Sequence, residues 1–419
     1  MRINQQVTLA EARCAKAFER IDAIALHNTE RVLQAFQVHE VAARHFSPTT
    51  GYGYDDIGRD TLEAIFADLF GAEAAIVRPQ IASGTHALSL CLFGLLLPGD
   101  ELMCASGAPY DTLDGVIGIS GCHTGSLREM GVRYAQVELS AEGRLDLPAI
   151  RAALTPHTKV VAVQRSRGYA ARRSLEPREL EPLAAMLRAE APHVCLMVDN
   201  CYGEFVDVLE PTHYGADVCV GSLIKNPGGG LAPTGGYVVG RNQWIERISY
   251  RLTAPSIGRE VGSYAASYQP FYQGLFMAPH VVAQALRTAT LASALFSAMG
   301  MKTTPDVDAP RTDLIQALEL GTPERLIAFC QGIQSASPVD SMALPEPWAM
   351  PGYQEPVIMA AGTFVSGASI ELSADAPMRP PYTAYLQGGL TYSHGKLALM
   401  KTLEYMQKKG CLTDPACEP

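Results

Sequence analysis

What this chain lacks narrows its chemistry first. It has no dense Lys/Arg run, and its formal net charge is −10. A nucleic-acid surface, which needs clustered positive charge, is therefore not expected. It has no CxxC pair. The ten cysteines (Cys14, Cys91, Cys104, Cys122, Cys195, Cys201, Cys219, Cys330, Cys411 and Cys417) are scattered, most of them in apolar runs. The closely spaced ligand pairs that zinc requires are missing, so no metal is expected, and buried free thiols in a reducing compartment fit best. The longest apolar stretch, ALSLCLFGLLL at 87–97, falls short of the roughly 18 residues of a membrane span. Arg2, Glu11, Arg13, Lys16, Glu19 and Arg20 break up the first twenty residues, leaving no signal-peptide core. Internal repeats and low-complexity tracts are absent. The expected setting is the cytoplasm, with no membrane partner.

What is present reads as a folded globular protein. Of the 419 residues, 47% are hydrophobic and 18% charged, a globular balance. That length exceeds one ordinary core. Three regions are expected: a helical arm over 1–47, a large domain over 48–245, and a smaller C-terminal α/β domain over 246–419.

Helical spacing without Pro or Gly predicts one helix over 8–46, ended by Pro48 and Gly51. GYGYDDIGRD, holding Tyr52, Tyr54, Asp55, Asp56 and Arg59, reads as a loop. A helix over 60–70 follows, with Asp60 placed to cap it. Strands are expected at 74–79, 101–106, 132–139, TKVVAVQ, HVCLMVD, DVCVGS and GGYVVG, most of them separated by helices. Near-continuous apolar strands in this alternation predict a mostly parallel sheet covered on both faces. Beyond residue 245 the chain turns helix-rich. From 337 come short strands with Pro and Gly, then a last helix over 394–409.

One stretch organises the rest. Asp199 ends the apolar run VCLMVD, and Lys225 follows a second run in GSLIKNPGGG. A carboxylate at a buried strand end is costly without a cation beside it. A lysine between an apolar strand and glycines is open to close approach, and desolvation there is expected to lower its pKa and make it nucleophilic. Such a pair suits pyridoxal phosphate: the carboxylate holds the pyridine nitrogen protonated and the lysine forms the Schiff base. The Ser83-Gly84-Thr85 turn opening an apolar helix fits two roles, a plain helix cap or a phosphate cradle.

The strings GYGYDDIGRDTLE, RPQIASGTHA, VQRSRGY, VDNCYGEF, GSLIKNPGGGLAPTGGYVVG and PPYTAYLQGGLTYSH resemble the methionine gamma-lyase family, in the branch labelled aluminium resistance protein. The resemblance covers nearly the whole chain. It implies a fold-type-I pyridoxal-phosphate enzyme, with a mostly parallel seven-stranded sheet flanked by helices. It implies further that Ser83, Gly84, Thr85 and Ser222 hold the phosphate, that Tyr110 stacks on the ring and protonates the leaving group, and that Gln164 contacts the ring oxygen. Arg379 becomes the candidate clamp for the substrate carboxylate, set against a plain surface arginine. Tyr54 (or Tyr52) with Arg59 would reach the phosphate of an adjacent subunit in a homodimer or homotetramer. Ile224 stands where the wider group has Thr, so the better-known lyases' phosphate geometry and substrate do not transfer directly. The implied reaction is γ- or β-elimination from methionine, cystathionine or a similar amino acid, releasing 2-oxo acid, ammonia and thiol. Its rivals are a non-sulfur leaving group, as in canavanine, a thiol-adding transferase, and a weakly catalytic cofactor-binding stress protein.

Overall fold

A computed structural model describes residues 3–120, 124–350 and 355–412. Cys122 and Cys417 lie outside them; Cys14, Cys91, Cys104, Cys195, Cys201, Cys219 and Cys330 are buried free thiols, and Cys411 is partly exposed.

The N-terminal segment is two helices rather than one. Helix α1 (Ile3–Arg13) and helix α2 (Ala15–Val38) are separated at Cys14, whose buried thiol bonds the carbonyls of Ala10 and Thr290. The second helix stops well before Pro48, because Glu40 takes a left-handed backbone conformation with φ +48°. Helix α3 (Ile57–Leu69) is capped by Asp56 instead of Asp60. The Asp56 carboxylate accepts the Arg59 N–H at 3.0 Å and the Tyr268 hydroxyl at 2.9 Å.

Seven strands form the large sheet: β1 (Ala74–Arg78), β2 (Glu101–Cys104), β3 (Arg133–Gln136), β4 (Thr158–Gln164), β5 (Cys195–Asp199), β6 (Val218–Ser222) and β7 (Gly236–Gly240). Their order is β1-β7-β6-β5-β4-β2-β3, and only β7 runs against the others. Intervening helices are α4 (Gly84–Leu95), α5 (Asp111–Ile117), α6 (Leu147–Ala153) and α7 (Glu181–Glu190). Leu88, Cys91 and Leu92 pack on one side of the sheet, and Leu183, Ala184 and Leu187 on the other. This double cover is why the central strands carry unbroken apolar runs.

Helix α8 (Asn242–Leu252) spans position 245, and helix α9 (Gln269–Ala298) follows. By length and composition α9 could cross a membrane, but most of its surface is buried inside the fold. The small sheet starts earlier than the sequence pattern suggests. It contains β8 (Thr303–Thr304) and β9 (Gln316–Glu319) besides β10 (Val357–Ala360), β11 (Ser373–Pro377) and β12 (Thr383–Gln387). Its order is β10-β11-β12-β9-β8, with every pair antiparallel. Helices α10 (Pro323–Ser335) and α11 (Tyr392–Lys408) complete this part. Strand alternation divides the small sheet into two faces. Ala374, Ala376, Ala384 and Leu386 join the main apolar core, while Ser373, Asp375, Tyr385 and Gln387 take the other parity.

Candidate active site

Parallel pairing brings the key strand ends to one edge. Gln164 lies opposite Asp199 in register, and Asp199 opposite Val220, two residues before Ser222. Each of Gln164, Asp199 and Ser222 closes its strand. Helix α4 begins on the same edge with Ser83 as its cap, the Ser83 hydroxyl accepting the His86 N–H at 3.0 Å. A cavity of about 250 Å³ opens here, lined by Ser83, Gly84, Thr85, Tyr110, Gln164, Asp199, Ser222 and Lys225. Ligands of open α/β sheets gather in this place, beyond the carboxyl ends of parallel strands.

Lys225 sits in the turn after β6, with its Nζ 4.0 Å from the centroid of the Tyr202 ring. The sequence reading expects desolvation to lower the pKa of this amine. The structure reverses that expectation. Burial does oppose the charge, but Cys201, Tyr202, Asp199 and Glu204 surround the amine and outweigh it, raising the pKa. The acceptor-rich surroundings of Lys225 thus favour its charged form. Burial pushes the Asp199 carboxyl up, while Lys225 and the Cys201 N–H, donating at 3.0 Å, pull it back down. Burial also pushes Glu204 up to about 8, against the Tyr237 hydroxyl that donates to it at 2.7 Å. Asn226, next to the lysine, donates to the Glu204 carbonyl at 2.8 Å.

The turn carrying Lys225 rests directly on α9. A Cβ added to Gly274 would stand 2.2 Å from the Gly228 carbonyl oxygen, so the two backbones meet with no side chain between them.

The residues at the start of α4 fit a phosphate. The Ser222 hydroxyl is buried without a hydrogen-bond partner, and so is the Gln164 Oε1. A side chain at Gly84 would grow toward the Cys201 sulfur (3.4 Å) and the Ser222 Cβ (3.5 Å), into the space a bound group would use. Thr85 and Thr112 share a hydroxyl bond of 2.8 Å at the wall. An orphaned hydroxyl, a helix start, a lysine and a half-buried carboxylate together match the phosphate, aldehyde and ring nitrogen of pyridoxal phosphate. Ser83 is a helix cap at the cavity wall.

The remaining sequence candidates lie outside this cavity lining. Arg379 is half-exposed, paired with Glu355 at 3.2 Å and bonded to the Tyr169 carbonyl at 3.3 Å. Arg59 is buried, held by Asp60 and the Gly53 carbonyl, each at 2.7 Å. Tyr52 and Tyr54 are exposed, their rings 5.7 Å apart.

The family model described as methionine gamma-lyase matches residues 3–407. The chain belongs to the methionine gamma-lyase family. Among relatives of known sequence, the uncharacterized protein YnbB of Bacillus subtilis (strain 168) is 53% identical over 400 residues, 95% of each chain. A carbon-sulfur lyase involved in aluminum resistance from Clostridium novyi NT superposes with a TM-score of 0.93 at 44% identity, covering 96% of both chains. The pyridoxal-5'-phosphate dependent protein YhfS from Escherichia coli shares the fold alone, with a TM-score of 0.62 at 20% identity, covering 92% of this chain and 96% of that one. The family uses pyridoxal phosphate.

Within that frame, reasoning from sequence had not singled out Cys201, Tyr202, Asp375 and Gln387, all of which line the cavity. Cys201 and Tyr202 come two and three residues after Asp199 and could have been found from their place in VDNCYGEF. Asp375 and Gln387 come from the small sheet, and no local signal joins them to Lys225.

One substitution tests the cradle. Ser222→Ala is expected to weaken pyridoxal phosphate binding about 10-fold or more, since hydrogen bonds to charged groups are the strong ones. The same change removes a buried hydroxyl without a partner, so the cofactor-free protein is expected to melt no lower than wild type. Absorbance titration and thermal melting check both parts. Unchanged affinity would take Ser222 out of the cradle.

Proposed function

We propose that the protein is a pyridoxal-phosphate-dependent carbon–sulfur lyase that removes a thiol from the γ or β carbon of an amino acid. Family membership supports the general chemistry. The observation that carries the reading here is Lys225 set beside Asp199 at one sheet edge, next to the unpartnered Ser222 hydroxyl. When bound, the cofactor supplies an electron sink for the charge left at the α carbon.

Every other part belongs to the chain. Ser222, Thr85 and the backbone N–H groups at the start of α4 hold the phosphate. Asp199, half-buried at the end of β5, would keep a proton on the ring nitrogen. Lys225 would hold the cofactor's aldehyde, and its freed Nζ would take the α proton and move a β proton when the γ carbon is the reacting centre. Tyr110, in the cavity wall, gives the departing sulfur its proton. Water then completes the balance: amino acid plus water becomes 2-oxo acid, ammonia and free thiol. Arg379 stands beyond the lining and would release Glu355 to hold the substrate carboxylate. Tyr52 and Tyr54 are open to a neighbouring copy, in keeping with a shared site.

The test is a panel of sulfur amino acids, methionine and cystathionine among them, with 2-oxo acid and thiol read by mass. Release of both is expected from at least one member. A cofactor-loaded protein that releases thiol from none of them overturns the reading.

A further inference from the structure

The small sheet adds a carboxylate that this mechanism does not use. Asp375, on β11, is 7% exposed and lines the cavity with Ser373 on the same strand and Gln387 on β12. Gln387 donates to its Oδ2 at 3.0 Å, and the Tyr169 hydroxyl lies near enough to the same carboxylate to oppose its rise in pKa. Both partners are neutral, and a carboxylate has acceptor capacity beyond two bonds.

The charges of the wall do not balance once the site is working. Among the described residues the lining holds one cationic side chain, Lys225, and two anionic ones, Asp199 and Asp375. On the proposed reading Asp199 is committed to the ring nitrogen and Lys225 to the cofactor's aldehyde. Asp375 is left buried without a cation, a costly state for a carboxylate. Burial already pushes its carboxyl up to about 6, even with Gln387, Tyr169 and Lys225 opposing that rise.

We infer that Asp375 receives the cationic end of the substrate's side chain, so that the preferred substrates are amino acids bearing an ammonium-type group beyond the carbon that loses its substituent. This rests on the reading that the cavity takes an amino acid onto pyridoxal phosphate. It adds a class of side chain to that reading and a specificity residue from a different sheet. Gln387 acts as a positioning residue, holding the carboxylate toward the cavity.

Two unreactive pairs test the idea apart from turnover. L-ornithine and L-norvaline share a carbon chain and differ by one terminal ammonium, as do L-lysine and L-norleucine. Each is titrated into the cofactor-loaded protein, and binding is read as the change in cofactor absorbance. Wild type is expected to favour the cationic member of at least one pair by about 10- to 100-fold, the range of charge-assisted hydrogen bonds. Asp375→Asn is expected to bring that ratio near one, a change that a purely structural role would not produce. Ratios near one in wild type, or a preference unchanged in Asp375→Asn, overturn the inference. The wild-type ratio decides alone if the variant does not fold. Failure of the lyase reading looks different: no thiol from any sulfur amino acid, with the charge preference intact.

Discussion

Lys225→Ala is expected to lower turnover by at least about 10³-fold, because one atom serves as both cofactor attachment point and proton carrier. The loss has a chemical signature. Borohydride reduction of the loaded wild type should fix the cofactor mass on the peptide containing Lys225, and the variant should gain no such mass. Its cofactor should also wash out faster on dialysis, although Ser222 and the α4 start still hold the phosphate. A second effect follows from the pocket's charge. Removing the amine leaves Asp199 without the cation that opposes its burial. Leaving a carboxylate without its cation in an apolar setting is destabilising, so the cofactor-free variant should melt lower than wild type. Retained turnover, or label on another lysine, would remove Lys225 from its role.

Asp199→Asn is the second large effect. The amide keeps the shape and can still accept the Cys201 N–H, but it no longer supplies a negative charge to the ring nitrogen. Loss of one electrostatic stabiliser of this kind costs roughly 10²–10³ in kcat. The phosphate grip lies elsewhere in the cavity, so cofactor affinity should fall far less than turnover. A variant with near-normal kcat would mean that the ring nitrogen needs no carboxylate here, and the mechanism would fail at its centre.

The sequence carried the large sheet and its edge well, for a physical reason. Strands covered on both faces must be apolar throughout, and polar residues at their ends stand out against that background. Asp199, Ser222 and Lys225 were legible in this way. Other features were not. Helical periodicity does not register a break as small as the one at Cys14, where apolar spacing resumes at once. Asp56 and Asp60 are both acceptable caps by type, and only the extended backbone of Asp56 decides between them. The burial of Lys225 could be read from its neighbours in sequence. Its acidic neighbours Cys201, Tyr202 and Glu204 belong to a turn some twenty residues earlier, and they reverse the direction. Asp375 is harder still. A single Asp in an alternating strand reads the same whether its face meets water or a cavity, and only the packing of the small sheet tells them apart.

The backbone contact between Gly228 and Gly274 separates what evolution can adjust from what it cannot. The turn bearing Lys225 is seated on α9 by main-chain atoms, and no side chain there can be enlarged or trimmed to re-aim the amine. The walls that meet the substrate are made otherwise, by side chains on β11, β12 and the loops above them. Each of those can be exchanged without moving the attachment point. A scaffold with a fixed anchor and interchangeable walls lets relatives keep one chemistry while they diverge in the molecules they accept.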